Sequence, residues 1–317
     1  MAPTPTPAEC SCKGSGKYCS KTWPARCGYE PDTIYDCGNG GNTPVQNETC
    51  LFNRCYQENV TAICMTDCMV KVHYGVWGGA DDGSVRYMDV QNDFSTGMIY
   101  KSNGTGSVYG LAVNKFATEM KSVNYLRYRA RPGGSWTAAT DPYRADTMAY
   151  GARQDGMFMF ASWLDTGTAY YHNDSTTAVS SAVKYTNLAG NAVAFCGIYV
   201  NCFQDLAFDG NDYLWVVDYQ FNVFISTTPQ TTTLGGPMKL IGKFPGPAGS
   251  AWGIAFDAFG HVYYGGMGGG EQYSWVMQAN MTAPLNTTLV FQTAVGSIGD
   301  LASCAYPKVN ISSVLAA

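Results

Sequence analysis

The stretch that decides the fold is residues 205–218, which read DLAFDGNDYLWVVD. A short apolar run ends at the turn-forming residues 209–212, and a β-branched and aromatic run follows it. This order predicts a strand, a tight turn and a second strand. The same hairpin recurs 48 residues later in residues 253–264, GIAFDAFGHVYY, where Ala255 takes the place of Ala207.

Further copies of this alanine mark a longer repeat. The shared residues are Ala112, Ala149, Ala207, Ala255 and Ala302, spaced 37, 58, 48 and 47 residues apart. An all-β unit that repeats every ~40–50 residues is typical of propeller blades. The first strand of each blade lines the central channel, where a small side chain lets neighbouring strands approach. We therefore predict an all-β fold, a β-propeller with five blades. Six blades is the alternative, because the 58-residue interval has room for a diverged one.

The composition divides the chain into four segments. We expect a Pro/Thr-rich tail in residues 1–9, a disulfide-rich and irregular arm in 10–70, the propeller in 71–306 and a C-terminal tail in 307–317. The chain ends soon after the alanine strand around Ala302, without outer strands for another blade. We expect the strands after residue 71 to complete that last blade and close the ring.

Cysteines are concentrated in the arm, which holds nine of the twelve. Their spacing is irregular and no companion histidines occur, so disulfides are favoured over zinc. The predicted disulfide cysteines are Cys10, Cys12, Cys19, Cys27, Cys37, Cys50, Cys55, Cys64, Cys68, Cys196, Cys202 and Cys304. If Cys196 pairs with Cys202, then Cys304 and one arm cysteine are left over. We therefore expect a bridge between arm and propeller, within one molecule or between two.

Charged residues make up only 14% of the chain, against ~25% in typical soluble domains. N-linked sugars would keep such a surface soluble, and seven N-x-S/T sequons are present. The predicted glycosylation sites are Asn47, Asn59, Asn103, Asn173, Asn280, Asn286 and Asn310. Sequons and cysteines together predict a secreted, extracellular glycoprotein. Residues 1–9 contain no apolar signal-peptide core, so we expect a leader outside this numbering or another export route.

Motifs for other functions are missing from the sequence. The net charge of −5 gives no nucleic-acid footprint, and no apolar run is long enough to span a membrane. His73, His172 and His261 lie in predicted strands without metal-ligand spacing, and we interpret them as structural. No nucleophile elbow or phosphate-binding loop occurs. We predict no catalytic residue, no metal site and no cofactor.

Two surface features remain open at this level. Arg127, Arg129 and Arg131 alternate along one predicted strand. Such a stripe is typical of the solvated face of an outer strand, and the alternative is a binding site for an acidic glycan. The propeller tryptophans are Trp77, Trp136, Trp163, Trp215, Trp252 and Trp275. Buried ones would pack between blades, whereas exposed ones could stack on sugar rings.

The repeated pattern in residues 205–218 and 253–266 resembles that of the NHL and lactonase-like propellers, and the resemblance spans roughly residues 72–306. It implies a propeller architecture. Calcium-dependent lactonases among these propellers carry Glu, Asn and Asp around the central channel. The candidates for such a set in this chain are Asp205, Asp209, Asp257 and Asp300.

The function expected from these features is structural or adhesive and non-enzymatic. We expect a subunit of an extracellular coat, matrix or fibre that self-associates through its cysteine-rich arm. A carbohydrate-binding lectin-type propeller is the first alternative, with glycans as ligands. A lactonase-like hydrolase is the second.

Overall fold

The computed structural model describes residues 17–19, 33–37, 45–49, 55–58, 61–64, 67–78, 83–101, 107–108, 110–114, 120–123, 127–130, 137–138, 147–151, 157–162, 168–173, 182–193, 203–230, 234–268, 273–293 and 296–317. The chain divides into two compact units, Met1–Asp67 and Cys68–Ala317. The division falls close to residue 70, where the composition changes.

The N-terminal unit contains short strands, in a region whose composition predicts irregular structure. Strands β1 (Lys17–Cys19), β2 (Thr33–Asp36) and β3 (Val45–Thr49) form an antiparallel sheet. Strands β4 (Cys55–Glu58) and β5 (Thr61–Cys64) form a hairpin that places Cys55 opposite Cys64. Tyr35 and Cys37 are buried, and Cys37 is disulfide-bonded.

The second unit is built almost entirely from strands. They are β6 (Lys71–Trp77), β7 (Ser84–Asp89), β8 (Ser95–Lys101), β9 (Gly110–Val113), β10 (Met120–Val123), β11 (Arg127–Ala130), β12 (Thr137–Ala138), β13 (Thr147–Tyr150), β14 (Met157–Ser162), β15 (Thr168–Asn173), β16 (Tyr185–Asn187), β17 (Ala192–Val193), β18 (Phe203–Phe208), β19 (Leu214–Asp218), β20 (Asn222–Ser226), β21 (Gly236–Lys243), β22 (Ser250–Phe256), β23 (His261–Gly268), β24 (Tyr273–Asn280), β25 (Ala283–Thr293) and β26 (Ser297–Ala302). A 3₁₀ turn (Asp67–Val70) precedes β6, and a short helix α1 (Ser312–Ala316) follows β26. Among the described residues, no helix is long and apolar enough to cross a membrane.

The strands form antiparallel meanders. Their orders are β9-β10-β11-β12, β13-β14-β15, β18-β19-β20-β21, β22-β23-β24-β25 and β26-β6-β7-β8. We call β9, β13, β18, β22 and β26, which begin these sheets, the inner strands. Each inner strand contacts the next, and β26 contacts β9, so the inner strands form a closed ring.

The ring closes as the sequence predicted, with the strands after residue 71 completing the last sheet. The last strand, β26, pairs with β6, the first strand after the arm, with Leu301 opposite Tyr74. Apolar side chains fill the spaces between successive sheets; between β18–β21 and β22–β25, for example, Trp215 packs edge-on against Phe256 at 5.5 Å between ring centroids. The second unit therefore has a propeller-like architecture.

One short strand, β16, joins two neighbouring sheets. Val183, just before it, forms a bridge with Ala169, and β16 then continues as a parallel strand beside β21 of the next sheet. The buried Tyr185 donates its hydroxyl to Gln230 Oε1. Gly235 allows this approach, because a Cβ atom there would lie 2.5 Å from the carbonyl oxygen of Lys184.

Candidate functional site

The axis of the ring is lined by the repeated alanines. Ala112, Ala149, Ala207, Ala255 and Ala302 all border one small cavity, as predicted from the repeat. The cavity has a volume of about 20 Å³. This is enough for about one ordered water, since ~10–15 Å³ is needed to hold one. Sites for small-molecule ligands are far larger.

Two of the acidic residues considered for catalysis meet at this axis. The carboxyl groups of Asp205 and Asp300 interact with each other, and both residues are buried. Asp205 Oδ2 also accepts the backbone N–H of Ile254 at 2.6 Å, and Asp300 Oδ2 accepts that of Leu111 at 2.5 Å. Each carboxyl group therefore joins its own inner strand to the next one around the ring.

Two ionised carboxylates repel each other, so this pair favours a bound proton. Burial, and then the charge of Asp205, raise the pKa of Asp300 well above its ordinary value. The two acids come from different repeats, which explains why the sequence did not pair them. One oxygen of each carboxyl group accepts a backbone N–H from the next strand, which favours a structural role, whereas Asp300 Oδ1 has no hydrogen-bond partner among the described residues.

The other two acidic candidates each organise a turn. Asp209 Oδ1 accepts the backbone N–H groups of Asn211 and Tyr213, and its Oδ2 accepts Trp215 Nε1. Burial raises the pKa of Asp209 to about 6. These bonds account for Asp209 as a turn residue, as the sequence predicted. Asp257 accepts the backbone N–H groups of Phe259 and His261 in the same way.

The described histidines have different surroundings. His73 is buried in β6, and burial lowers its pKa to about 4, so it is neutral. His261 is half-buried with Nδ1 2.8 Å from Asp257 Oδ2, and this bond raises the pKa of His261. Tyr263 donates to the same carboxylate oxygen at 2.8 Å. His172 lies in β15.

One end of the ring is marked by β-bulges that the sequence did not reveal. We call this end, where the inner strands begin, the strand-start face. The pairing of β18, β22 and β26 with their neighbours skips Gln204, Trp252 and Gly299. Each skipped residue lies three positions before the repeated alanine. A bulge leaves its extra residue outside the regular pairing and redirects its side chain.

Half-buried aromatic rings gather at the strand-start face. Trp252 lies between Trp77 and Tyr219, with ring centroids 6.2 and 6.0 Å away. The three residues belong to consecutive sheets. We call them the aromatic mouth. Trp215 and Trp275, in contrast, are fully buried.

The opposite end of the ring is covered by the C-terminal segment. Pro307, Ile311 and Val314 are buried. The carbonyl oxygen of Pro307 accepts the N–H of Gly210, and that of Val309 accepts Asn211 Nδ2. The segment expected to be a tail therefore packs on the turns of β18–β19.

Three sequons lie at exposed positions: Asn280 at the end of β24, Asn286 in β25 and Asn310 before α1. Asn47 lies in β3 and Asn173 ends β15. Arg127 and Arg129 lie in β11. The predictions for Asn59, Asn103, Arg131, Trp136, Trp163, Cys10, Cys12, Cys27, Cys50, Cys196 and Cys202 concern residues outside the described ones.

A disulfide joins Cys68, before β6, to Cys304, after β26. The cysteine count predicted a bridge between Cys304 and a cysteine of residues 10–70. Since Cys68 belongs to the second compact unit, this bridge connects the two ends of the ring.

Comparison with known proteins reveals a likeness of fold. No family model matches the chain, and no curated protein matches it. A chain in a crystal structure of a nidogen–laminin complex is similar, with a TM-score of 0.50 and 9% sequence identity. The match covers 75% of this chain and all of that one. A second, more distant match, to a structure of U3-55K, has a TM-score of 0.36 and 13% identity and covers 66% of this chain and 58% of that one. At these identities, the likeness to the chain of the nidogen–laminin complex concerns the fold alone, and it agrees with the propeller-like architecture.

Proposed function

We propose that this chain is a secreted, N-glycosylated, five-bladed propeller of the NHL type with a structural or adhesive role. It is a subunit of an extracellular coat, matrix or fibre, and copies assemble through the cysteine-rich residues 10–70. The five sheets formed by the described residues of the second unit correspond to the blades.

The observation that supports this proposal most is the use of the central axis. In this ring the axis is packed with alanine and larger apolar side chains, and its cavity has room for about one water. The acidic residues at the axis interact with each other and accept backbone N–H groups of neighbouring strands. These groups contribute to the rigidity of the ring, which suits a building block.

Two further features favour an extracellular location. The Cys68–Cys304 bridge requires an oxidising compartment to form and persist. Exposed sequons at Asn280, Asn286 and Asn310 are accessible in the folded chain. The similar chain in the nidogen–laminin complex belongs to a protein assembly, which is compatible with an assembly role here.

The experiment is a comparison of two forms of the protein by negative-stain imaging and light scattering. The full-length native chain should form polymers that increase with concentration and dissolve on reduction. A variant that begins at residue 67 keeps Cys68 and should be monomeric. If the full-length chain remains monomeric at high concentration, the structural proposal is wrong and carbohydrate binding becomes the leading function.

A further inference from the structure

The aromatic mouth has the composition of a binding site. Trp252 is the unpaired residue of the bulge in β22, and its ring lies between those of Trp77 and Tyr219. Its Nε1 donates to Ser250 Oγ at 2.6 Å. Since the polar edge of the indole is already bonded, the exposed part of this ring is apolar.

The equivalent bulge positions on the two inner strands beside β22 carry residues of different size and polarity. Gln204 occupies the equivalent bulge on β18, and Gly299 occupies it on β26. Both strands contact β22. The bulge positions on the two inner strands beside β22 therefore carry a glutamine and a glycine.

Gln204 supplies a second and independent observation. Its side chain is more than nine-tenths buried, and Nε2 has no hydrogen-bond partner among the described residues. A buried donor without a partner is costly and calls for a specific explanation. This atom has almost no exposed surface, so a ligand hydroxyl or carbonyl oxygen reaches it only when the Gln204 side chain turns toward the mouth.

The chemistry of this mouth fits a neutral sugar. Apolar ring faces accept the C–H face of a pyranose, and an amide donor binds one of its oxygens. Both oxygens of the nearby Asp218 carboxylate already accept hydrogen bonds within its own turn, from the N–H groups of Gln220 and Asn222 and from the Asn222 side chain. The chain itself has seven sequons, so sugars would be abundant wherever copies gather.

We propose that the aromatic mouth binds a neutral sugar of an N-linked glycan carried by a second copy of this chain. The identity of this natural ligand rests on the glycosylation in the proposed function. The site itself does not depend on it, because free sugars test the site directly. Binding would add a glycan-mediated contact to the assembly through residues 10–70.

The test uses the full chain after enzymatic removal of its N-glycans. The probes are N,N′-diacetylchitobiose and the trimannosyl chitobiose core, titrated to ~10 mM and followed by tryptophan fluorescence and saturation-transfer NMR. We expect saturable binding by at least one probe. Trp252→Ala and Gln204→Leu should each weaken it by about threefold to tenfold or more, and Trp252→Phe by less.

A matched control is Phe259→Ala, which removes a 36% exposed aromatic from a turn at the opposite end of the ring. It should bind the probes as the parent does. Melting temperatures establish that each variant is folded. If Trp252→Ala does not fold, the binding measured for Trp252→Phe and Gln204→Leu tests the site instead. The absence of binding by both probes, or unchanged binding in the folded Gln204 and Trp252 variants, overturns the inference. Polymer formation is measured separately, so either proposal can fail alone.

Discussion

Asp205 and Asp300 interact with each other at the axis of the ring, and each also accepts a backbone N–H from the next inner strand. Gly253 lets β22 approach β26 here, because a Cβ atom there would lie 2.7 Å from the backbone nitrogen of Leu301. The acidic pair thus helps to hold β9, β18, β22 and β26 together. The stability of the ring should therefore depend on pH.

We expect Asp300→Asn to remove part of this dependence. The raised pKa of Asp300 means that the folded chain binds its proton more tightly than the unfolded chain. The free energy of unfolding should then fall as the pH rises from the ordinary value of 3.8 up through the raised pKa. Asparagine is neutral, can donate to Asp205, and can accept from Leu111.

The measurement is the melting temperature of both proteins from about pH 4 to about pH 9. The parent should lose stability relative to Asp300→Asn as the pH rises. Other titrating groups, such as His73, are common to both proteins and cancel in the difference. Parallel curves would show that the pair holds no extra proton.

Overpacking of the axis is the second expectation. Ala207→Leu or Ala255→Leu inserts three carbons into a cavity that holds about one water, and should cost about 1–3 kcal/mol of unfolding free energy. Ala283→Leu, at the exposed start of β25, is the control and should be nearly neutral. Chemical denaturation measures all three, and equal small effects would contradict the axial role of the alanines.

Removing the Cys68–Cys304 bridge should destabilise the ring considerably. The two cysteines are 236 residues apart, and closing so long a loop in the unfolded chain is worth about 5 kcal/mol in the chain-entropy description. The double variant Cys68→Ser, Cys304→Ser should unfold at much lower denaturant concentration. A midpoint equal to that of the parent would show that the bridge does not stabilise the fold.

Glycosylation is checked by peptide mass spectrometry of the native protein. Asn280, Asn286 and Asn310 are exposed and should carry sugar at high occupancy. Asn211 lies outside any sequon, and its side chain is bonded to the carbonyl oxygen of Val309, so it serves as the unmodified reference. Bare asparagines at all three sites would remove a main support for secretion.

The sequence predicted those features that local chemistry controls. The hairpin of residues 205–218 was predictable because Asp209 and its neighbours have turn chemistry, and the repeat revealed the alanine-lined axis. The bulges were not predictable, because glutamine, tryptophan and glycine share no signature at Gln204, Trp252 and Gly299. The pairing of Asp205 with Asp300 depends on ring closure, and the position of β16 depends on the contact of Tyr185 with Gln230. Such distant contacts leave no local pattern.

The bridge between Cys68 and Cys304 also has a mechanical consequence. Once residues 305–317 are pulled off the ring, a force applied between the N-terminal unit and the C-terminus enters the second unit at Cys68 and leaves it at Cys304. The covalent bond carries this load directly, so the chain between the two cysteines, which spans the whole ring, stays free of tension. In a fibre, each propeller would act as an inextensible link, and reduction of one bond per subunit would make the fibre extensible.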